Sequence, residues 1–146
     1  MEKIHRLIHD IYVFIDAQDH WVFGEFDLTC TQYRALMLLD LAEGISLTTL
    51  AHKLIRNRST ATRLVAQLEQ RGLVQRFSDA TDARVHHIVL TLAGDELRSQ
   101  ARRAHLEVLE STLGDFVPEE QEYLKCLLGK LRGRLIDSLD VLSETS

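Results

Sequence analysis

Ala61, Leu64, Val65 and Leu68 recur at the helical period, directly after a run of small polar residues and shortly before Gly72. That spacing predicts a helix from Asn57–Ser59 to Arg71 with one narrow apolar stripe, which must be buried against neighbouring elements. The neighbours are legible on both sides. Upstream, Ser46 is placed to cap a short helix through Leu47, Leu50, Ala51 and Leu54. Downstream, Leu73–Phe77 and Val85–Leu90 have strand character and flank the turn-forming segment Ser78–Ala83. Two short helices joined tightly and followed by a β-hairpin form a winged helix-turn-helix, with Ala61, Leu64, Val65 and Leu68 packing inward on Leu38, Leu50 and Leu54.

The flanks are helical. Ile4, Leu7, Ile8, Ile11, Tyr12 and Ile15 make an amphipathic first helix that fades near Trp21, Phe23 and Phe26, with Gly24 as a breaker. A second helix opens at Leu28–Thr31 with Thr29 or Thr31 as N-cap, uses Tyr33, Leu36, Met37 and Asp40–Leu41 as core positions, and ends at Gly44. Thr91 caps a fifth helix carrying Leu92, Leu97, Ala101, Ala104, Leu106, Val108 and Leu109. Pro118, followed by Glu119 and Glu120 at the positive helix end, opens a sixth. There Leu124, Leu127, Leu128, Leu131, Leu135, Leu139 and Leu142 form an apolar stripe that the rest of the chain has little to cover.

The expected architecture is therefore mainly α with a small β-hairpin wing. It is a single domain over 1–146, with a winged helix-turn-helix lobe over 28–97 flanked by dimerisation helices over 1–27 and 98–146. The first and last helices supply a homodimer layer, because a second copy of the chain offers the same apolar stripes for mutual cover.

The charge distribution points to the partner. From Ala51 to His87 there are seven cations (Lys53, Arg56, Arg58, Arg63, Arg71, Arg76, Arg84) and three anions, a net of +4. The remainder sums to −9 in a chain whose total is −5. A basic centre between acidic flanks is the footprint of phosphate recognition. On the outer face of the fourth helix lie Ser59, Thr60, Arg63 and Gln67, with Asn57 and Arg58 at its N-terminal end. Small hydroxyl residues permit close approach in a groove about 12 Å wide, and an arginine can hold guanine bidentately. At the hairpin tip, Arg84 is suited to a narrow minor groove, and Asp82 is placed to orient it. Double-stranded DNA with a pseudo-palindromic operator is the expected partner.

Other classes fit poorly. Glycine-rich phosphate loops, nucleophile elbows and paired-cysteine motifs are absent, so neither enzyme activity nor a cofactor is expected. The apolar runs are too short for a membrane span, and the chain opens without a signal-peptide pattern, so a cytoplasmic protein is expected. Two well-separated cysteines make no disulfide framework.

The same residues carry a resemblance. Leu28-Thr29 with Gln32, and Leu50-Ala51 with Leu54, are similar to the opening of the MarR (multiple antibiotic resistance regulator) pattern. Ser59–Val65 with Leu68-Glu69, then Arg71–Arg76, resemble its recognition helix and first wing strand. Asp79, Asp82-Ala83-Arg84 and Leu90-Thr91 with Gly94 complete the set. The resemblance implies a homodimeric winged-helix transcription factor, typically a repressor relieved by small molecules or oxidation. It also implies that Ser59, Thr60, Thr62 and Arg63 face DNA from the recognition helix, and Arg84 from the wing.

Three regulatory inputs stay open. A small aromatic ligand is the first, in a cleft walled by Tyr12, His20, Trp21, Phe26, Tyr33 and Met37, with Arg34 or His20 meeting a carboxylate. The second is oxidation of Cys30, in a first helical turn where the dipole lowers a thiol's pKa. Metal sensing is the third and weakest. His5 and His9 share a helix face, with Asp16 or His105 as further candidates, while His86 and His87 point to opposite sides of a strand. No metal site is expected. The alternative to DNA binding is a winged helix used as a protein–protein adaptor.

Overall fold

The computed structural model describes residues 1–78 and 86–144, with side chains in the last helix to 139. In chain order the elements are α1 (Glu2–Gly24), α2 (Cys30–Leu38), β1 (Ile45–Ser46), α3 (Leu47–Lys53), α4 (Arg58–Gln70), β2 (Val74–Ser78), β3 (His86–Leu90), α5 (Leu92–Leu113) and α6 (Pro118–Glu144). Together they form a mostly helical chain with a small antiparallel sheet. The chain divides into two compact units, Met1–Leu106 and the part from Glu107 onward.

In the first unit the helix-turn-helix core follows the periodicity. Ala61, Leu64, Val65 and Leu68 of α4 are buried, together with Leu50, Ala51 and Leu54 of the α3 region. Each large aliphatic side chain buried this way contributes roughly 1.5–3 kcal/mol. The caps are where the small polar residues place them. Ser46 accepts from the Thr49 amide at 3.1 Å, and Asn57 Oδ1 from the Thr60 amide at 2.8 Å. Thr91 Oγ1 accepts from the Gly94 amide at 3.0 Å and donates to the Gly72 carbonyl at 2.6 Å. Thr91 thus caps α5 and ties it to the turn that ends α4. Gly72, at φ 68°, supplies the left-handed residue that closes the helix.

The wing is a three-stranded sheet of order β1-β3-β2 rather than a bare hairpin. Val74 pairs with Leu90 and Ser78 with His86, while Ile45 and Ser46 pair with Ile88 and His87 on the other edge of β3. This third strand is only two residues long, too short to carry a visible alternation.

Helix α2 differs from its expected extent. It stops at Leu38, not Gly44, because Leu39 adopts an extended conformation that buries its side chain in the core. Asp40 then makes a turn, accepting the Ala42 amide at 2.8 Å and the Glu43 amide at 2.5 Å on Oδ1. Its carbonyl accepts the Leu90 amide at 2.7 Å. Met37 and Leu41, expected in the core, are exposed as a result, and Leu38 is half-buried. Leu92 is 80% exposed because the buried face of α5 begins at Gly94, against the Leu73 backbone. Helix α1 ends at Gly24, inside the aromatic cluster, where the glycine was expected to break it.

In the second unit, α6 begins at Pro118, with the Val117 amide bonded to Glu120 Oε2 at 3.1 Å. Its leucines mostly face outward: Leu127, Leu128, Leu135 and Leu139 are exposed, and Leu124 and Leu131 half-buried. The side chain of Leu142 lies outside the described residues. The apolar stripe of α1 is exposed likewise at Ile4, Leu7, Ile8, Ile11 and Ile15. No helix among the described residues is long and apolar enough to cross a membrane.

Candidate functional site

Helix α4 presents two opposed faces. Opposite the buried stripe, Ser59, Thr62, Arg63 and Gln67 are exposed, and Thr60 is half-buried. Arg58 and Asn57 stand exposed at the N-terminal end. Not all of these groups are equally available. Asn57 Oδ1 is committed to the cap, and the Thr62 hydroxyl donates to the Arg58 carbonyl at 2.8 Å. Gln67 Oε1 accepts from Gln32 Nε2 at 3.3 Å. Ser59, Arg58 and Arg63 are the exposed groups on this face whose side chains make no hydrogen bond or ion pair among the described residues.

The basic residues sort by role. Arg71 donates to the Asp27 carbonyl at 2.5 Å and to the Phe26 carbonyl at 3.2 Å, fixing the α1–α2 loop against the end of α4. Arg76 lies 3.1 Å from Glu69. Both are structural ties, which leaves Lys53, Arg56, Arg58 and Arg63 as exposed cations of the helix-turn-helix. Arg58 also lines a groove with Ser46, Leu47, Thr48, Arg76, His86 and Ile88, where the starts of α3 and α4 meet the wing. Arg84 and Asp82 lie outside the described residues.

Some residues hold the site together in roles the sequence reading did not assign. Gln32 is buried to 8% exposure and completes a capping box with Thr29, accepting the Thr29 amide at 2.9 Å while Thr29 Oγ1 accepts the Gln32 amide at 3.1 Å. The Thr-x-x-Gln spacing was the available signal. Arg98 reaches from α5 to the Leu39 carbonyl at 2.7 Å, at the C-terminal end of α2, and pairs with Asp95. A guanidinium there complements the negative helix end. No local pattern marks it.

The aromatic and polar residues around α1 and α2 separate into distinct settings. Tyr33 is buried in a stack on Phe23, with centroids 4.0 Å apart, and His105 meets both rings edge-on. His105 Nε2 lies 3.0 Å from Asp19 Oδ1, so this histidine is occupied within the packed cluster. Burial pushes the Tyr33 phenol up from its ordinary value. Tyr12, Trp21, Arg34 and Met37 are exposed, and Phe26 is half-buried.

Cys30 is the first residue of α2, yet its thiol is shifted opposite to the dipole expectation. Burial, then the negative charges of Asp19 and Asp16, push its pKa up. His20 Nδ1 stands 3.5 Å from Cys30 Sγ and 3.4 Å from Asp16 Oδ2. His86 is exposed and His87 half-buried, as opposite strand faces require.

The tight α3–α4 pair, the polar outward face of α4 and the sheet beside it define the class: a winged helix-turn-helix. The MarR family model matches residues 28–86. The HTH-type transcriptional regulator YybA of Bacillus subtilis is 30% identical over 132 residues, spanning 90% of this chain and 88% of that protein. The transcriptional regulator HosA of Escherichia coli is 32% identical over 105 residues, 72% of this chain and 78% of HosA. The crystal structure of the S. aureus MepR–DNA complex matches with a TM-score of 0.79 at 26% identity, covering 89% of this chain and 96% of that one. This chain belongs to the MarR family. The relatives just described are named as regulators, not as enzymes.

Proposed function

We propose that this chain is a homodimeric, DNA-binding transcriptional regulator that occupies a pseudo-palindromic operator and represses from it. The observation that carries the reading is the outward face of α4, where Ser59, Arg58 and Arg63 project beside a capped helix N-terminus. Helix amides and Arg58 at that end suit a phosphate, and Arg63 one turn further suits a base edge. Thr60, Thr62 and Gln67 flank the contact, and Arg84 is assigned to the minor groove. The effector is a small aromatic acid. Support comes from the exposed Trp21, Tyr12, Met37 and Arg34 on α1 and α2, joined through the 25–29 loop to Arg71 at the end of α4. The raised thiol of Cys30 weighs against a peroxide sensor, since the thiolate is the reactive form.

The test is binding of the full chain to its own upstream DNA as a function of salt. Arg63→Ala and Arg84→Ala should each weaken binding and reduce the slope of log affinity against log salt by about 1. A folded wild-type dimer that fails to bind at low salt overturns the reading in favour of a protein–protein adaptor.

A further inference from the structure

We propose that Asp16, His20 and Cys30 form a binding site for a zinc-class divalent metal ion, stapling the end of α1 to the first turn of α2. Their ligand atoms all lie within 4.8 Å of one another. Asp16 and His20 are one turn apart on α1, and Cys30 arrives from the next helix. The loop that delivers it is fixed by its own hydrogen bonds. Phe26 and Leu28 amides both bond to the Phe23 carbonyl at 3.0 Å, Asp27 takes φ 54°, and the Thr29–Gln32 box locks the following turn.

The spacing matches a tetrahedral ion. Zn–N and Zn–O bonds near 2.0–2.1 Å and a Zn–S bond near 2.3 Å put nitrogen and oxygen ligands about 3.3 Å apart, and sulfur and nitrogen about 3.5 Å apart. The corresponding separations are 3.4 Å from His20 Nδ1 to Asp16 Oδ2 and 3.5 Å from His20 Nδ1 to Cys30 Sγ. The third edge, Asp16 to Cys30, lies within 4.8 Å.

The donor set selects the class of ion. One sulfur, one imidazole nitrogen and one carboxylate oxygen suit a borderline ion such as Zn²⁺, whereas Mg²⁺ and Ca²⁺ demand oxygen shells. The negative charges of Asp16 and Asp19 both act at the thiol, so a cation is favoured there. Three protein ligands leave one position for water. Without metal, His20 Nδ1–H donates to the Asp16 carbonyl at 2.7 Å, because a carbonyl only accepts. On binding, the imidazole turns away from that carbonyl and its proton moves to Nε2, while the thiol gives up its own, so one proton is released per ion bound. The consequence reaches α4, because the stapled loop carries the Phe26 and Asp27 carbonyls that hold Arg71.

The site does not depend on the nucleic-acid reading, and its test uses no DNA. The reduced, tag-free, chelator-treated full chain is titrated with Co²⁺ and followed by absorption. The expected result is a near-ultraviolet thiolate-to-cobalt band with strong visible absorption from four-coordinate geometry. Both saturate at one ion per chain and are bleached by Zn²⁺. Cys30→Ser should abolish the near-ultraviolet band, and His20→Ala should weaken Co²⁺ binding by roughly tenfold or more. Cys126→Ser and the His5→Ala/His9→Ala double variant should leave both unchanged. Absence of a thiolate band in the wild-type chain overturns the proposal, as does a band that survives Cys30→Ser. The wild-type spectrum alone decides the first point, independently of how any variant folds.

Discussion

A single atom separates two glycines that the sequence presents alike. At Gly94 an added Cβ would fall 1.9 Å from the Leu73 carbonyl oxygen, in the backbone contact where α5 docks on the start of β2. That oxygen also accepts the Thr91 amide at 3.1 Å, so displacing it breaks the hydrogen bond that joins β3 to the turn. Gly72 has open space around its missing Cβ but sits at φ 68°. One glycine is required by volume and the other by backbone conformation. Gly94→Ala should therefore destabilise the first unit by about 3 kcal/mol, near the upper end of overpacking costs. Gly72→Ala should cost only about 1 kcal/mol, and Gly72→Asn, which tolerates the left-handed region, should recover most of it. Urea denaturation of the three variants checks both claims. Equal losses at the two positions would show that crowding at Gly94 is relieved by a shift of β2.

At the scale of elements, Asn57 combines two roles that substitution can separate. Its side chain caps α4, and it stands exposed at the end where a phosphate is expected. Asn57→Ala should lose about 1 kcal/mol of stability with the cap. Asn57→Asp keeps an acceptor and gains from the helix dipole, so its melting temperature should match or exceed the wild type. Its DNA affinity should nevertheless fall, because a carboxylate would face the phosphate backbone. Parallel thermal melts and salt-dependent binding distinguish these outcomes; unimpaired binding by Asn57→Asp would place the phosphate elsewhere. Caps of this kind were legible in the sequence because they depend on neighbours three residues away, as at Ser46, Thr29 and Thr91. The inward face of α4 was legible for the same reason. Elements set by distant partners were not. Strand β1 exists only through its pairing with β3, and α2 ends where Leu39 is drawn into the core. Arg71, Arg98 and the Asp19–His105 pair each bind groups far away in the chain, which no local period encodes. Likewise, the four-residue spacing of Asp16 and His20 was visible, but the arrival of Cys30 depends on how the 25–29 loop folds back.

For the whole molecule the apolar stripes decide. Helix α1 exposes Ile4, Leu7, Ile8, Ile11 and Ile15, and α6 exposes Leu127, Leu128, Leu135 and Leu139. Each such side chain is 40–60% exposed and so forgoes roughly 1 kcal/mol while it stays in water, and contiguous stripes of this size mark interaction surfaces. A second copy of the chain supplies the same stripes and satisfies the twofold symmetry that paired DNA half-sites demand. The wild-type protein should sediment at twice the chain's 16.7 kDa, with a melting temperature that rises with protein concentration, as assembly-linked stability requires. Introducing charge at two stripe positions, Leu135→Glu with Leu139→Glu, should shift the mass to that of one chain. Leu92→Glu is the control: it is as apolar and more exposed, but lies at the start of α5 and outside both stripes, so it should leave the mass unchanged. If the double variant stays dimeric, α6 is not the seam, and α1 must carry the association. If it becomes monomeric, its winged lobe should keep its fold while its operator affinity collapses, because a single half-site supplies too few phosphate contacts for tight binding.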